Sequence, residues 1–172
     1  FNEQTVKALD GGMEKVRKEV KGQLKGLVLD LRDNPGGLLE ASIEVTSRFV
    51  NGGEVVSTRG RREGDQRRYN AVRAARFPDV PIVVLVNGGS ASAAEIVAGA
   101  LQNYGRAIIV GDSSTHGKGS VQQVIEMKQV SRALSLAAKT GAAKLTIQKY
   151  YLPSGASTQL KGVVPDIVLP SI

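Results

Sequence analysis

Three short apolar runs constrain the fold of this chain most strongly. They are GLVLDLRD (26–33), PIVVLV (81–86) and AIIVG (107–111), and each is rich in β-branched residues. Continuous apolar runs of this length are typical of strands buried on both faces of a parallel sheet. Segments with helical spacing follow two of them, over 38–50 and 92–104. The alternation predicts an α/β fold, a layered core with a mostly parallel sheet and flanking helices.

The rest of the chain predicts further elements of the same layered core. Residues 2–22 show a weak amphipathic helical pattern, and 52–60, 120–127 and 143–153 are candidate strands. A length of 172 residues suits one domain with a substantial core. We therefore expect a single core domain over 1–172.

Two segments lack a clear periodic pattern. The segment 57–77 carries seven arginines against two acidic residues, in a chain with net charge +7. We expect a solvated basic loop there, and an insertion that is a short helix or a loop over 128–142. A basic loop suits nucleic acid or acidic chains, but aromatic residues make up only 4% of the chain and provide no stacking platform for bases. Nucleic acid is therefore not an expected partner.

The composition excludes several kinds of site. The chain has no cysteine and a single histidine, His116. Thiol catalysis, disulfides and cysteine-ligated metals are thus excluded, and so is a zinc site built from several histidines. The longest apolar run is too short to span a bilayer.

The stretch NGGSASAAE (87–95) places Ser92 at the start of a predicted helix. Ser92 and Glu95 match a capping box, in which both side chains satisfy the first free amides of the helix. Alternatively, the small residues around Ser92 leave it accessible, and the helix start offers amide donors to a developing oxyanion. On the residues alone, a cap and a nucleophile both remain open.

A serine nucleophile needs a base, and the Gly-rich stretch GDSSTHGKGSVQQ (111–123) offers His116 and Lys118. Its glycine spacing does not fit a phosphate-binding P-loop. A free lysine is charged at neutral pH, so a lysine base requires desolvation or a positive neighbour. Without these, Lys118 is an ordinary solvated lysine and His116 a surface residue.

Four sequence blocks carry a family resemblance. They are GLVLDLRDNPGG, NGGSASAAEIVAGALQNYGRAIIVG, GKGSVQQ and LTIQKYYLPSGASTQLKGVVPDI. In this order they resemble the carboxyl-terminal processing proteases, also called tail-specific proteases, which are serine peptidases with a Ser-Lys dyad. The resemblance covers almost the whole chain and implies a ClpP/crotonase-like core.

The resemblance also implies roles for individual residues. The family's nucleophile falls on Ser92, its general base on Lys118 and a residue that orients the base on Gln122. The oxyanion hole would use the amides of Ala93 and of the NPGG turn, where we favour Gly37 over Gly36. Ser90 would then be structural.

The function implied by the resemblance is that of an endopeptidase. Its substrates would be proteins or peptides with accessible C-terminal tails, cut near or from those ends without a cofactor, in the periplasm or another extracytoplasmic compartment. The family places a PDZ domain before this core, and no segment of the sequence matches one. Two hypotheses remain beside this one: a catalytically silent peptide-binding scaffold of the same fold, and a role for Arg67 and Arg68 in guiding carboxylates to the site.

Overall fold

Two four-stranded sheets organise the computed structural model, which describes residues 1–20, 24–72, 75–130 and 141–170. The strands, numbered along the chain, are β1 (Leu27–Asp30), β2 (Glu54–Arg59), β3 (Arg67–Asn70), β4 (Ile82–Val86), β5 (Ala107–Gly111), β6 (Ser120–Glu126), β7 (Ala142–Tyr151) and β8 (Ile167–Val168). The helices are α1 (Thr5–Glu19), α2 (Leu39–Ser47), α3 (Ala93–Asn103) and α4 (Met127–Val130).

The first sheet is wholly parallel, with strand order β1-β4-β5-β8. Its three longer strands are the three apolar runs, and the central residues Val84 and Ile109 are fully buried. The other face is less covered, since Val28 of β1 and Ile108 of β5 are 62% and 50% exposed, so the expectation of strands buried on both faces is wrong for the described residues. Burial of one face in the core still suits the β-branched residues of these strands. The predicted α/β class with a parallel sheet and flanking helices is confirmed.

The second sheet is antiparallel, with strand order β3-β2-β7-β6. The sequence interpretation placed the strands in one mostly parallel sheet and did not contain this second sheet. The difference arises because alternation of strands and helices indicates parallel pairing only where a helix connects the strands. β2 and β3 are joined instead by a short segment with a 3₁₀ turn at Glu63–Asp65, which favours antiparallel pairing.

The prediction of a basic loop over 57–77 is wrong where the segment forms strands. Its first residues complete β2, and Arg67–Asn70 form β3, which pairs with β2. β3 is a mostly exposed edge strand of polar residues, so it carries no apolar signal and backbone pairing alone defines it. In the predicted insertion 128–142, α4 covers the first residues and β7 begins at Ala142; residues 131–140 lie outside the described residues.

Helix α3 lies at the centre of the core. All nine residues from Ala93 to Leu101 are buried, and a helix that is buried on every side must be covered by several other elements. It packs against α2, β5 and β2. Its first residue follows the turn after β4, at the same sheet edge where the turn after β1 emerges. Turns that follow neighbouring parallel strands meet at that edge, and this meeting point positions the candidate site. No helix in the described ranges is long and apolar enough to cross a membrane.

Candidate active site

Ser92 has an unusual backbone conformation at the start of α3. Its φ is 56° and its ψ is −114°, whereas a residue that caps a helix normally has an extended backbone. Holding a serine in such a sparsely populated region costs about 1–3 kcal/mol. A strained turn from strand to helix is also how α/β-hydrolases expose a nucleophilic serine. The conformation therefore points to more than an ordinary cap.

Hydrogen bonds connect the turn that carries Ser92 to the turn after β1. Ser90 is fully buried, and its hydroxyl donates a hydrogen bond to the Leu31 carbonyl at 2.7 Å. The same hydroxyl accepts the Asn87 N–H at 3.0 Å, and the Ala91 N–H donates to the Asn34 carbonyl at 2.9 Å. Ser90 therefore has the buried, fully bonded position of a structural hydroxyl, as predicted.

The NPGG turn lies directly against Ser92. A Cβ placed on Gly36 would come within 2.6 Å of the Ala91 carbonyl oxygen, 2.7 Å of the Ala93 nitrogen and 2.8 Å of the Ser92 Cβ. The Gly36 N–H donates to the Asn34 side-chain oxygen at 3.0 Å. In contrast, the N–H groups of Ala93 and Gly37 meet no acceptor among the residues that the structure describes. Two amide donors are thus left without protein partners beside Ser92.

Glu95 joins the Ser92 turn to the loop that carries Lys118. Its carboxylate is fully buried and accepts the backbone N–H of Ser92 at 2.7 Å and of Lys118 at 3.0 Å. It also accepts the Gly117 N–H at 2.7 Å and the Thr115 hydroxyl at 2.6 Å. A buried carboxylate is tolerated only when its oxygens are hydrogen-bonded in this way. The sequence pattern predicted Glu95 only as a capping-box partner, and this second role was missed, although a lone acid in an otherwise apolar helix is a signal for it.

Lys118 and Gln122 lie together where the Gly-rich loop enters β6. Lys118 is half-buried, and its Nζ donates to the Gln122 Oε1 at 3.4 Å. His116 is exposed, and its backbone N–H donates to the Ser90 carbonyl at 2.9 Å. Of the two candidate bases, only Lys118 lines the cleft that contains Ser92.

That cleft has a volume of about 750 Å³, within the usual range for ligand sites. All six predicted site residues line it: Gly36, Gly37, Ser92, Ala93, Lys118 and Gln122. Its apolar lining includes Leu38, Leu39, Ile96, Val121 and Ile147. The lining also contains two more cationic side chains, Arg67 and Lys144, and one acidic side chain, Glu40. The cleft can therefore hold an extended chain with apolar groups, and it favours negative charge.

The described residues contain no cluster of three or more His, Asp or Glu side chains arranged to hold a metal ion. The groups that line the cleft are instead a hydroxyl, an amine, an amide side chain and backbone N–H donors. Such groups suit acyl transfer, in which a serine attacks a carbonyl and donors hold the resulting oxyanion.

Comparisons with known proteins agree with this chemistry. The family model described as Peptidase family S41 matches residues 1–169. The chain is 48% identical over 170 residues to a carboxy-terminal-processing protease of Bartonella bacilliformis, covering 98% of this chain and 37% of that protein. It is 38% identical over 156 residues to the chloroplastic carboxyl-terminal-processing peptidase 3 of Arabidopsis thaliana, covering 90% and 28%.

A solved structure gives the same result. The photosystem II D1 C-terminal processing protease superposes with a TM-score of 0.78 at 34% identity, covering 98% of this chain and 40% of that one. The chain thus spans about a third of the length of the curated relatives it matches.

Proposed function

The chain belongs to peptidase family S41, and we propose that it hydrolyses peptide bonds of protein substrates through a dyad of Ser92 and Lys118. The observation that carries the proposal is the strained φ of Ser92, at the start of a buried helix, in the same cleft as Lys118. Strain of this kind persists only where the surroundings enforce it, and it is concentrated at functional sites.

The reaction begins with proton transfer. The uncharged amine of Lys118 takes the proton of the Ser92 hydroxyl, and Ser92 Oγ attacks the substrate carbonyl to form a tetrahedral intermediate. The protonated lysine then gives this proton to the leaving amine, which completes the acyl-enzyme. Water hydrolyses the acyl-enzyme with Lys118 again acting as the base, and Ser92 regains its proton.

The oxyanion of the intermediate is held by the N–H groups of Ala93 and Gly37. Both lie on the cleft without a protein acceptor among the described residues, whereas the Gly36 N–H already donates to the Asn34 side chain. This difference supports Gly37 over Gly36 as the second donor. The start of α3 adds the positive end of a helix dipole at the same place.

Gln122 lies next to Lys118, and its side-chain oxygen accepts a hydrogen bond from the lysine Nζ at 3.4 Å. We assign to Gln122 the role of orienting the Lys118 amine for proton transfer with Ser92.

The substrates that we propose are proteins cut near or from their C-terminal ends. The names of the relatives support this substrate class, and the apolar, net positive cleft suits an apolar chain that ends in a carboxylate. We also propose an extracytoplasmic location, as the family resemblance implies; one relative is named as chloroplastic.

Cleavage of casein by the full-length protein tests the proposal. Ser92→Ala and Lys118→Ala should each lower the rate at least about 1000-fold, with the circular dichroism spectrum unchanged. Lys149→Ala is the matched control, because Lys149 is exposed on β7 and does not line the cleft; its rate should equal that of the wild type. Full activity in either dyad variant would refute the roles assigned to Ser92 and Lys118. A wild type that binds peptides without cleaving them would instead establish a scaffold.

A further inference from the structure

Tyr150, near the end of β7, has a buried phenol in contact with the backbone of both dyad residues. The side chain is 1% exposed, and its hydroxyl donates its single proton to the carbonyl oxygen of Lys118, with the carbonyl oxygen of Ser92 as a second, more distant acceptor at 3.3 Å. The hydroxyl in turn accepts a hydrogen bond from the fully buried Thr158 at 2.9 Å. A buried hydroxyl with this many partners is a fixed point in the structure.

The contacts of Tyr150 complement those of Glu95. The Glu95 carboxylate holds the N–H groups of Ser92 and Lys118, and the Tyr150 phenol holds their C=O groups. Two segments that are distant in sequence are therefore fixed to each other on both sides of their backbones. Two adjacent anchors of this kind also restrain the strained φ of Ser92.

We propose that Tyr150 is a positioning residue that sets the distance and orientation between Ser92 and Lys118. This inference rests on the proposed function, since it concerns the geometry of the same dyad. Tyr150 acts on the dyad through the two backbones rather than by contact with the reacting atoms. Its ring belongs to the hydrophobic core, whereas its hydroxyl makes the contacts with the two backbones.

The chemistry of the phenol suits this role. Burial, opposed by the hydrogen bond from Thr158 and assisted by the charge of Glu95, raises the pKa of Tyr150 above its ordinary value. The phenol therefore keeps its proton at neutral pH and remains a hydrogen-bond donor to the backbone carbonyls. A lysine amine or a histidine in this place would change its donor capacity with pH.

Tyr150→Phe, which removes only the oxygen, tests the proposal against Tyr151→Phe. Tyr151 is the next residue of β7, points to the opposite face of the sheet and lies beside Arg59. We would measure kcat and KM of the full-length protein on an internally quenched peptide, well below the melting temperature of each variant. Tyr150→Phe should lower kcat about 10- to 100-fold with KM within about twofold, because the dyad is displaced while the cleft is kept. Tyr151→Phe should match the wild type.

An unchanged kcat in Tyr150→Phe, or an equal fall in Tyr151→Phe, would overturn the inference. Should Tyr150→Phe not fold, Thr158→Val removes the hydroxyl that orients the phenol at nearly constant volume. It should lower kcat by a smaller factor at constant KM, and an unchanged kcat would again overturn the inference. Ser92→Ala in the same assay separates the two proposals. The dyad is refuted if the wild type is inactive or if Ser92→Ala is active. Only the role of Tyr150 is refuted if the wild type is active, Ser92→Ala is inactive and Tyr150→Phe is fully active.

Discussion

The NPGG turn can approach Ser92 closely because Gly36 has no side chain. Its φ is 91°, in the left-handed region that favours glycine. The space where a side chain would begin is already filled by backbone atoms of Ala91 and Ala93 and by the Ser92 Cβ. Backbone atoms cannot rotate away as the end of a flexible side chain can, so any side chain at this position must displace one of the two turns.

Gly36→Ala is therefore expected to lower kcat/KM at least about 100-fold, because a displacement of about 1 Å near reacting groups has that effect. Gly88→Ala is the matched control, since Gly88 lies in the same turn as Ser92 and a Cβ there meets no described atom within 4 Å. Peptide cleavage by the two variants checks the prediction. A Gly36→Ala variant within tenfold of the wild type, or a Gly88→Ala variant equally impaired, would contradict it.

At the residue scale, the family resemblance of the sequence indicated the residues that we propose as nucleophile, base and oxyanion donors, but not the contacts of Glu95 and Tyr150 that hold them. Ser92 and Lys118 lie in distinctive glycine-rich stretches, so local sequence marks them. The roles of Glu95 and Tyr150 depend on contacts across 23 and 58 positions of the chain. Such contacts have no local pattern, which is why the strongest polar interactions of the site emerged only from the structure.

At the scale of elements, the position of β3 gives Arg67 and Arg68 different surroundings, although the sequence analysis assigned them the same role. Arg67 pairs with Thr58 of β2, which pairs with Tyr150 of β7. Paired residues of neighbouring strands share a sheet face, and Arg67 lines the cleft. Arg68 points to the other face, since successive side chains alternate, and its side chain lies 3.5 Å from Glu54 in an ion pair.

We therefore expect only Arg67 to contact the carboxylate of a substrate. Arg67→Ala should raise KM about three- to fivefold for a peptide with a free C-terminus, a modest effect typical of exposed ion pairs. The KM of Arg67→Ala for the same peptide with an amidated C-terminus should equal that of the wild type. Arg68→Ala should change the KM for neither peptide. Equal KM values for wild type and Arg67→Ala on the free peptide would contradict this assignment.

The sequence predicted some elements and missed others because different interactions stabilise them. The apolar runs of β1, β4 and β5 were placed to within three residues, because one face of each strand packs in the core and requires apolar side chains. β3 and β8 were missed because they are short, largely exposed edge strands. Backbone pairing with a neighbouring strand positions these two strands, and such pairing cannot be predicted from their amino-acid composition.

For the whole molecule, the cleft is assembled from both sheets. The parallel sheet supplies the NPGG turn after β1 and the Ser92 turn after β4. The antiparallel sheet supplies Lys118 and Gln122 at the start of β6, Tyr150 on β7 and Arg67 on β3. The buried helix α3 packs between these parts, and Glu95 on its first turn contacts both loops. Neither sheet alone contains both members of the proposed dyad, so the proposed site depends on how the two sheets pack together.

Covalent labelling of the full-length protein by a fluorophosphonate, with the adduct mapped by mass spectrometry, tests the dyad most directly. The dyad predicts a single adduct on Ser92 that forms at least about 100-fold more slowly in Lys118→Ala, since a general base contributes a factor of this size. An adduct on a different serine, or labelling of Ser92 at the wild-type rate without Lys118, would contradict it.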